Sequence, residues 1–353
     1  MVQLRVCADC VGRGLPACAL LLSMVFVALL NAQSSSDRLP VPEIKTTASL
    51  VVVPALVQSS KDGSMPILRA SDFLLTDDGA RQTVAIDDKE RHPISLLVLL
   101  QTGGAAVKEL SSYAKLGTMV SYLTANVPHE VGVVEFDNQP EYTWSFTRKV
   151  DSLDDAFQHP DAGDDGAAIL DAVRYGIDLL SKRPRRYRRV ILLISQQHDE
   201  KSQARAEDIV RKLGENNITI ECLTFSPEKT WLRDQLRDPS PENKPYQFAP
   251  NVPPLLHTFN LGAPLEIALH AMRENTAATV AQLSGGESFL FSSGSELDQD
   301  LATLANHFAE TYVLSFQPTS KQIGFHSLQL SVIGHPELQI SARRSYWVAV
   351  PRQ

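Results

Sequence analysis

Cysteine is scarce in this chain: Cys7, Cys10 and Cys18 crowd its beginning, and Cys222 alone lies in its body. If the first segment is removed, no intramolecular disulfide is possible and the fold depends on packing. Catalytic signatures are also missing. There is no Gly-x-Ser-x-Gly elbow and no His-Glu-x-x-His pair, and Gly103-Gly104 has no third glycine at dinucleotide-binding spacing. Positive charge is in deficit, with a formal net charge of -8, which makes the chain a poor nucleic-acid binder. A single long apolar stretch, Leu15 to Leu30, follows Arg5 and Arg13 and precedes Asn31-Ala32-Gln33. It reads as a signal peptide over 1–32, cleaved after Ala32. The alternative is an uncleaved membrane anchor, since the stretch is long for a leader core yet short of the roughly 20 residues of a spanning helix. Leu15-Pro16-Ala17-Cys18 precedes the apolar stretch instead of following it, an order that argues against lipidation.

What the chain does have is enough apolar content, 43% over 353 residues, for two compact units. Residues 33–92 form a β-rich module in this reading, with Ser49–Val53, Ala55–Val57, Phe73–Thr76 and Gln82–Ile86 as strands and Asp77-Asp78-Gly79 as a turn. From 93 to 310 strands and helices alternate. The strands are Ile94–Leu100, Glu130–Phe136, Tyr142–Phe146, Val190–Ile194, 218–224 and 287–291. The helices are 107–127, 167–181, 203–213 ending at Gly214, 265–283 and 295–308. This alternation predicts an α/β, Rossmann-like domain with a mostly parallel central sheet and helices on both faces. A Pro-rich insertion, 225–262, interrupts it as a loop or lid carrying Trp231, Tyr246, Phe248 and Leu255. The C-terminal strands of 311–353 pack on the β module in this reading.

Three phrases occur in a telling order. They are Leu68-Arg69-Ala70-Ser71-Asp72-Phe73 with Asp77-Asp78-Gly79, then Asp165-Gly166-Ala167-Ala168-Ile169-Leu170-Asp171-Ala172, then Tyr312-Val313-Leu314-Ser315-Phe316-Gln317-Pro318 with Arg343-Arg344-Ser345-Tyr346. Together, over about 43–348, they resemble the exported von Willebrand factor type A (VWA)-related proteins of the acidobacterial type. The resemblance implies a divalent-cation site, the metal-ion-dependent adhesion site, held by Asp-x-Ser-x-Ser in one loop, a threonine in a second and an aspartate in a third. Here those positions carry Gln101, Gly103 and Ala105, then Ala167, then Gln196. All five have lost the family's donor, and Mg²⁺ requires several fixed oxygen ligands. The resemblance therefore implies a degenerate site, with no metal and no cofactor.

Other features have bland readings. Asp164 and Asp165 are expected to cap the helix near Ala167, although with His198 and Asp199 they could form a displaced metal site at the strand ends. Lys182-Arg183-Pro184-Arg185-Arg186-Tyr187-Arg188-Arg189 reads as a solvated turn complementing a helix C-terminus, with an anionic docking patch as the alternative. Cys222 reads as a small buried hydrophobe.

The preferred expectation is a secreted, periplasmic or cell-envelope module, not an enzyme, that binds a protein partner without a metal. The candidate contacts are Gln101, Thr102, Gly103, Ala105, Asp165, Ala167, Gln196, His198 and Asp199, and the insertion. Membrane contact is expected only if the leader stays uncleaved, and oligomeric state is left open. A structural envelope scaffold or self-assembling protein is a second reading, and a hydrolase on the same frame a third.

Overall fold

The computed structural model describes residues 50–87, 93–124, 127–226, 263–320 and 322–349. The leader, residues 33–49 and all but the first two residues of the 225–262 insertion lie outside the described residues.

The first strands are β1 (Val51–Ser59), β2 (Phe73–Asp77), β3 (Ala80–Gln82) and β4 (Ala85–Ile86). β1 runs unbroken through Pro54, where the two shorter strands 49–53 and 55–57 were expected. Proline has no N–H to give, and Pro54 sits beside the point where β1 changes partner: residues 51–55 pair with one neighbour and 55–59 with another. Asp78 and Gly79 both take positive φ, 48° and 84°, in the tight hairpin turn that Asp-Gly favours. The expected strand 82–86 is broken instead, because Ala80–Gln82 pairs with β2 while Ala85–Ile86 crosses to a different sheet.

The central sheet contains β5 (Ile94–Gln101), β6 (His129–Phe136), β7 (Pro140–Thr147), β8 (Arg188–Gln196), β9 (Ile218–Phe225) and β10 (Ser288–Phe291) in the order β10-β9-β8-β5-β6-β7. All pairings are parallel except that of the edge strand β7. Every residue of β5 is buried, as a continuous apolar run between two neighbours and two helical layers must be. The helices are α1 (Leu116–Thr124), α2 (Asp154–Gln158), α3 (Ile169–Ser181), α4 (Ala206–Asn216), α5 (Ala263–Glu274), α6 (Thr276–Ser284) and α7 (Gly294–Glu310). Alternate β5 side chains serve opposite layers: Leu96, Val98 and Leu100 meet Leu116, Val120 and Leu301, whereas Leu97 and Leu99 meet Val173, Ile177 and Val280. This is an open, doubly wound α/β arrangement, and the chain turns back between β5 and β8. Such sheets place their ligand crevice at the C-terminal strand ends where the order reverses.

Three expected helices differ in instructive ways. The predicted helix 107–127 begins as 3₁₀ turns, Gly104–Lys108 and Leu110–Lys115, before α1 starts. Gly103, at the N-cap, has no side chain with which to cap the first turn, and bonds from Ala106, Glu109 and Ser112 N–H to the carbonyls three residues back satisfy the backbone instead. The helix expected to end at Gly214 continues to Asn216, and Asn217 terminates it in the left-handed region at φ 49°. Gly214 serves packing, since a Cβ there would stand 2.6 Å from Trp347. The helix predicted over 265–283 is two, because the Asn275 side chain accepts from Ala278 N–H at 2.9 Å and starts α6 anew.

The chain ends in β11 (Tyr312–Phe316), β12 (Gly324–Val332), β13 (Leu338–Ala342) and β14 (Ser345–Val348). These interleave with the first strands in two four-stranded sheets, β13-β1-β11-β4 and β14-β12-β2-β3. The sheets share a core of Val53, Ala55, Val57, Phe73, Leu75, Leu314, Phe316, Leu328 and Tyr346, a small β-sandwich built from both ends of the described chain. Buried Arg343 fixes this sandwich to α4, donating to Leu213 O at 2.7 Å and to Asn217 Oδ1 at 2.9 Å. Burial lowers its guanidinium pKa to about 10, still charged at neutral pH. Among the described residues, no helix is long and apolar enough to cross a membrane.

Candidate functional site

The crest of the central sheet, where β5 and β8 end, gathers the loop residues singled out in the sequence. Gln101 closes β5 and Gln196 closes β8, and the two side chains face each other. The main-chain N–H of Gln196 donates to Gln101 Oε1 at 2.8 Å, and Gln101 Nε2 donates to Gly103 O at 3.0 Å and to Gln196 Oε1 at 3.3 Å. Gln196 Nε2 donates in turn to His198 O at 2.9 Å. Both amides are buried, and both carbonyl oxygens accept a bond. Tyr113, wholly buried below them, donates its hydroxyl to Gln101 O at 3.3 Å.

The loops are sewn together by backbone. Gly104 N–H donates to Asp164 O at 3.0 Å, Gly163 N–H to Thr102 O at 3.1 Å, and Ala168 N–H to Asp137 O at 2.7 Å. At Gly103 a Cβ would lie 2.1 Å from Asp164 O and 2.4 Å from Asp137 Cβ, so no residue with a side chain fits without moving the second loop. Gly104, at φ 57°, makes the bend that brings the two loops this close.

The predicted residues thus divide by exposure. Gln101, Thr102, Gly103, Ala167 and Gln196 are buried, Ala105 and Asp199 are half-buried, and Asp165 and His198 are exposed. Among the described residues Asp165 is held by Lys201, which donates to its main-chain carbonyl at 2.5 Å and pairs with its carboxylate at 3.6 Å.

The expected capping of α3 by Asp164 and Asp165 is corrected. Asp199 takes that role from the third loop, its Oδ1 accepting from Leu170 N–H at 2.9 Å and from the Ser202 hydroxyl at 2.6 Å. Ser202 Oγ accepts from Asp171 N–H at 3.1 Å, and the Asp171 carboxylate accepts from Gln203 and Ala204 N–H at 2.8 and 3.0 Å. Two loops distant in sequence are clamped by this reciprocal set. Asp164 lies too far forward because Gly166, at φ 142°, and Ala167 carry the chain inward before the helix begins. Burial raises the Asp199 pKa against the lowering effect of these bonds.

An acidic rim lies beside the crest, with Glu141, Asp161, Asp164 and Asp165 exposed. It surrounds Glu135, whose pKa is pushed up to about 7 by burial and then by Asp161 and Glu141. Sequence reading missed Glu135, Glu141 and Asp161, since only the β6–β7 pairing brings Glu135 opposite Glu141. The basic run 182–189 lies at the other end of β8. There Arg183 pairs with Glu130, Arg188 covers the Phe308 ring at 4.4 Å, and Arg189 donates to Arg183 O at 2.7 Å. Lys182, Arg185 and Arg186 are exposed. Cys222 is fully buried in β9, with its thiol 3.1 Å from Ala277 O.

No protein-family model and no curated protein matches the sequence. Among solved structures, the chain is similar to an aerotolerance-related membrane protein of Bacteroides fragilis, at 12% identity over 60% of this chain and 98% of that one, with a TM-score of 0.38. It is also similar to the PilB minor pilin of Streptococcus sanguinis, at 10% identity over 64% and 63% with a TM-score of 0.40. A third is the VWA domain of SpRpn10, at 12% identity over 38% and 75% with a TM-score of 0.32. These scores are low, and the α/β fold assignment rests on the strand order and register.

Proposed function

We propose that this chain is an exported, non-catalytic VWA-type interaction module that holds a protein partner without a bridging metal ion. The observation that carries the reading is the closed crest. The donor set there does not fit a divalent cation: both glutamine carbonyls already accept bonds, and Gly103 has backbone oxygen where a serine would need to stand. A hard cation needs several free, fixed oxygens. The crest is in this reading a degenerate adhesion site whose former ligand positions now hold the loops together.

With Gln101 and Gln196 turned inward, the partner meets the rim: Asp161, Asp164, Asp165, Glu141 and His198. Its complement is a basic surface, which long-range attraction favours, so association is expected to weaken as salt rises. Asp199 and Ser202 support the non-catalytic reading, because each is occupied in capping α3. The apolar segment at 15–30 supports export. The 225–262 insertion is a second candidate contact on composition alone.

The test is capture of partners from an envelope extract by the wild-type chain and by a triple variant, Asp161→Asn, Asp164→Asn and Asp165→Asn, with chelator or with Mg²⁺. Capture that persists in chelator and falls at least tenfold in the variant is expected. Capture that appears only with Mg²⁺ would overturn the metal-independent reading, and capture indifferent to the triple change would move the contact off the rim.

A further inference from the structure

The β-sandwich contains a second gathering of polar side chains, far from the crest in sequence and chemistry. Asp77 closes β2 and Asp78 opens the β2–β3 turn, and His326 lies on β12, which pairs with β2 through Leu328 opposite Asp77. Asp77 is 2% and His326 1% exposed. Burial of a carboxylate beside an imidazole needs compensation, and half of each group has it. Tyr346 donates its hydroxyl to Asp77 Oδ2 at 2.8 Å, Ser327 N–H donates to Asp78 Oδ1 at 2.9 Å, and His326 Nε2 donates to Gln322 O at 2.8 Å. The Tyr346 ring stacks on the imidazole at 4.7 Å and holds its plane.

The other half of each group points to one place. Asp77 Oδ1, Asp78 Oδ2 and His326 Nδ1 lie within 4.8 Å of one another, with Nδ1 3.3 Å from the first oxygen and 2.8 Å from the second. Both contacts are at ion-pair distance, and Asp77 Oδ1 and His326 Nδ1 are both buried without a hydrogen-bond partner among the described residues. Because the Gln322 carbonyl accepts from Nε2, that nitrogen carries the ring proton. A neutral ring then presents a lone pair at Nδ1.

We propose that Asp77, Asp78 and His326 form a binding site for a divalent first-row transition ion of the Zn²⁺ class. Bonds of about 2.0–2.2 Å to one ion set neighbouring ligand atoms roughly 3 Å apart, as Nδ1 is from each of the two oxygens. Each ligand has its second polar atom anchored by another group, the outer-shell pattern that orients metal ligands. One imidazole with two carboxylates selects Zn²⁺ or Mn²⁺ over Mg²⁺, which prefers oxygen alone. Asp78, with 24% of its side chain exposed, leaves an opening through which water completes the shell. The ion would join the β2–β3 hairpin to β12, and so the two ends of the described chain.

The experiment is a calorimetric titration of the chelator-stripped full chain with Zn²⁺, compared with Asp78→Asn and His326→Gln. Asn keeps an oxygen for Ser327 N–H and tolerates the φ of 48° at this position, so Asp78→Asn is decisive if His326→Gln fails to fold. The expected result is one saturable site, at least tenfold weaker in each folded variant, with Co²⁺ giving a visible absorption band that the variants lose. Absence of Zn²⁺ binding in the wild-type chain would overturn the proposal by leaving a proton as the only bridge. Binding unchanged in Asp78→Asn would overturn it too, by placing the ion at a site other than this one.

Discussion

The crest of the central sheet and the Asp77–His326 corner of the sandwich present opposite solutions to buried polar chemistry. At the crest, neutral glutamines satisfy one another, and backbone fills the space beside Gly103. At the corner, two carboxylates and an imidazole are each tied on one side only, and their free atoms converge. The difference teaches that topology supplies a crevice while donor chemistry decides its use. The crest has the position of a ligand site, and the corner has the atoms of one.

The largest expected effect concerns the joint between the central sheet and the sandwich. Glu221 on β9 is buried and accepts from Glu287 N–H at 2.7 Å, Glu287 accepts from His307 Nδ1 at 2.8 Å, and Gln58 on β1 donates to His307 Nε2 at 2.9 Å. Burial, reinforced by the Glu287 charge, pushes the Glu221 carboxyl up to about 8 from 4.5. The folded state then binds a proton that the unfolded state has lost, so this contribution is full below pH 4.5 and is lost as pH rises towards 8. Its upper limit is about 5 kcal/mol by linkage. Chemical denaturation across this range should show falling stability, with a shallower slope in Glu221→Gln. An identical slope in the variant would remove Glu221 from the joint.

Gly103→Ser restores the residue type of a metal-competent loop and thereby attacks the closed crest directly. With Asp164 O only 2.1 Å from the new Cβ, it should destabilise the fold by about 3 kcal/mol, read from denaturant midpoints. An unchanged midpoint would mean that the two loops separate freely. Asp199→Ala tests a gentler part of the same region. Loss of the bonds to Leu170 N–H and Ser202 should cost about 1 kcal/mol, as for other helix caps, while rim-dependent capture is retained. Loss of capture at unchanged stability would make Asp199 a contact residue and not a cap.

Much of the central sheet is legible because β5 and β8 carry continuous apolar runs, and the β2–β3 hairpin is legible because Asp77-Asp78-Gly79 has the turn chemistry its backbone needs. Helix starts are less legible, since the cap on α3 comes from Asp199, a loop and a strand away, whereas Asp164 and Asp165 stand nearer in sequence. The sandwich corner is invisible for the same reason on a larger scale. Nothing local to His326 announces Asp77, and only the antiparallel pairing of β2 with β12 brings them together. The closure of the crest is half legible: the sequence shows which residues stand at Gln101, Gly103, Ala105, Ala167 and Gln196, but the reciprocal amide bonds require coordinates.

The contrast between crest and corner is tested most directly by titrating one chelator-stripped sample of the full chain first with Mg²⁺ and then with Zn²⁺, alongside Asp78→Asn. Flat heats with Mg²⁺, followed by a single Zn²⁺ site that Asp78→Asn weakens at least tenfold, are the predicted result. Saturable Mg²⁺ binding that survives Asp78→Asn would contradict the account, because it would place a working cation site back at the crest.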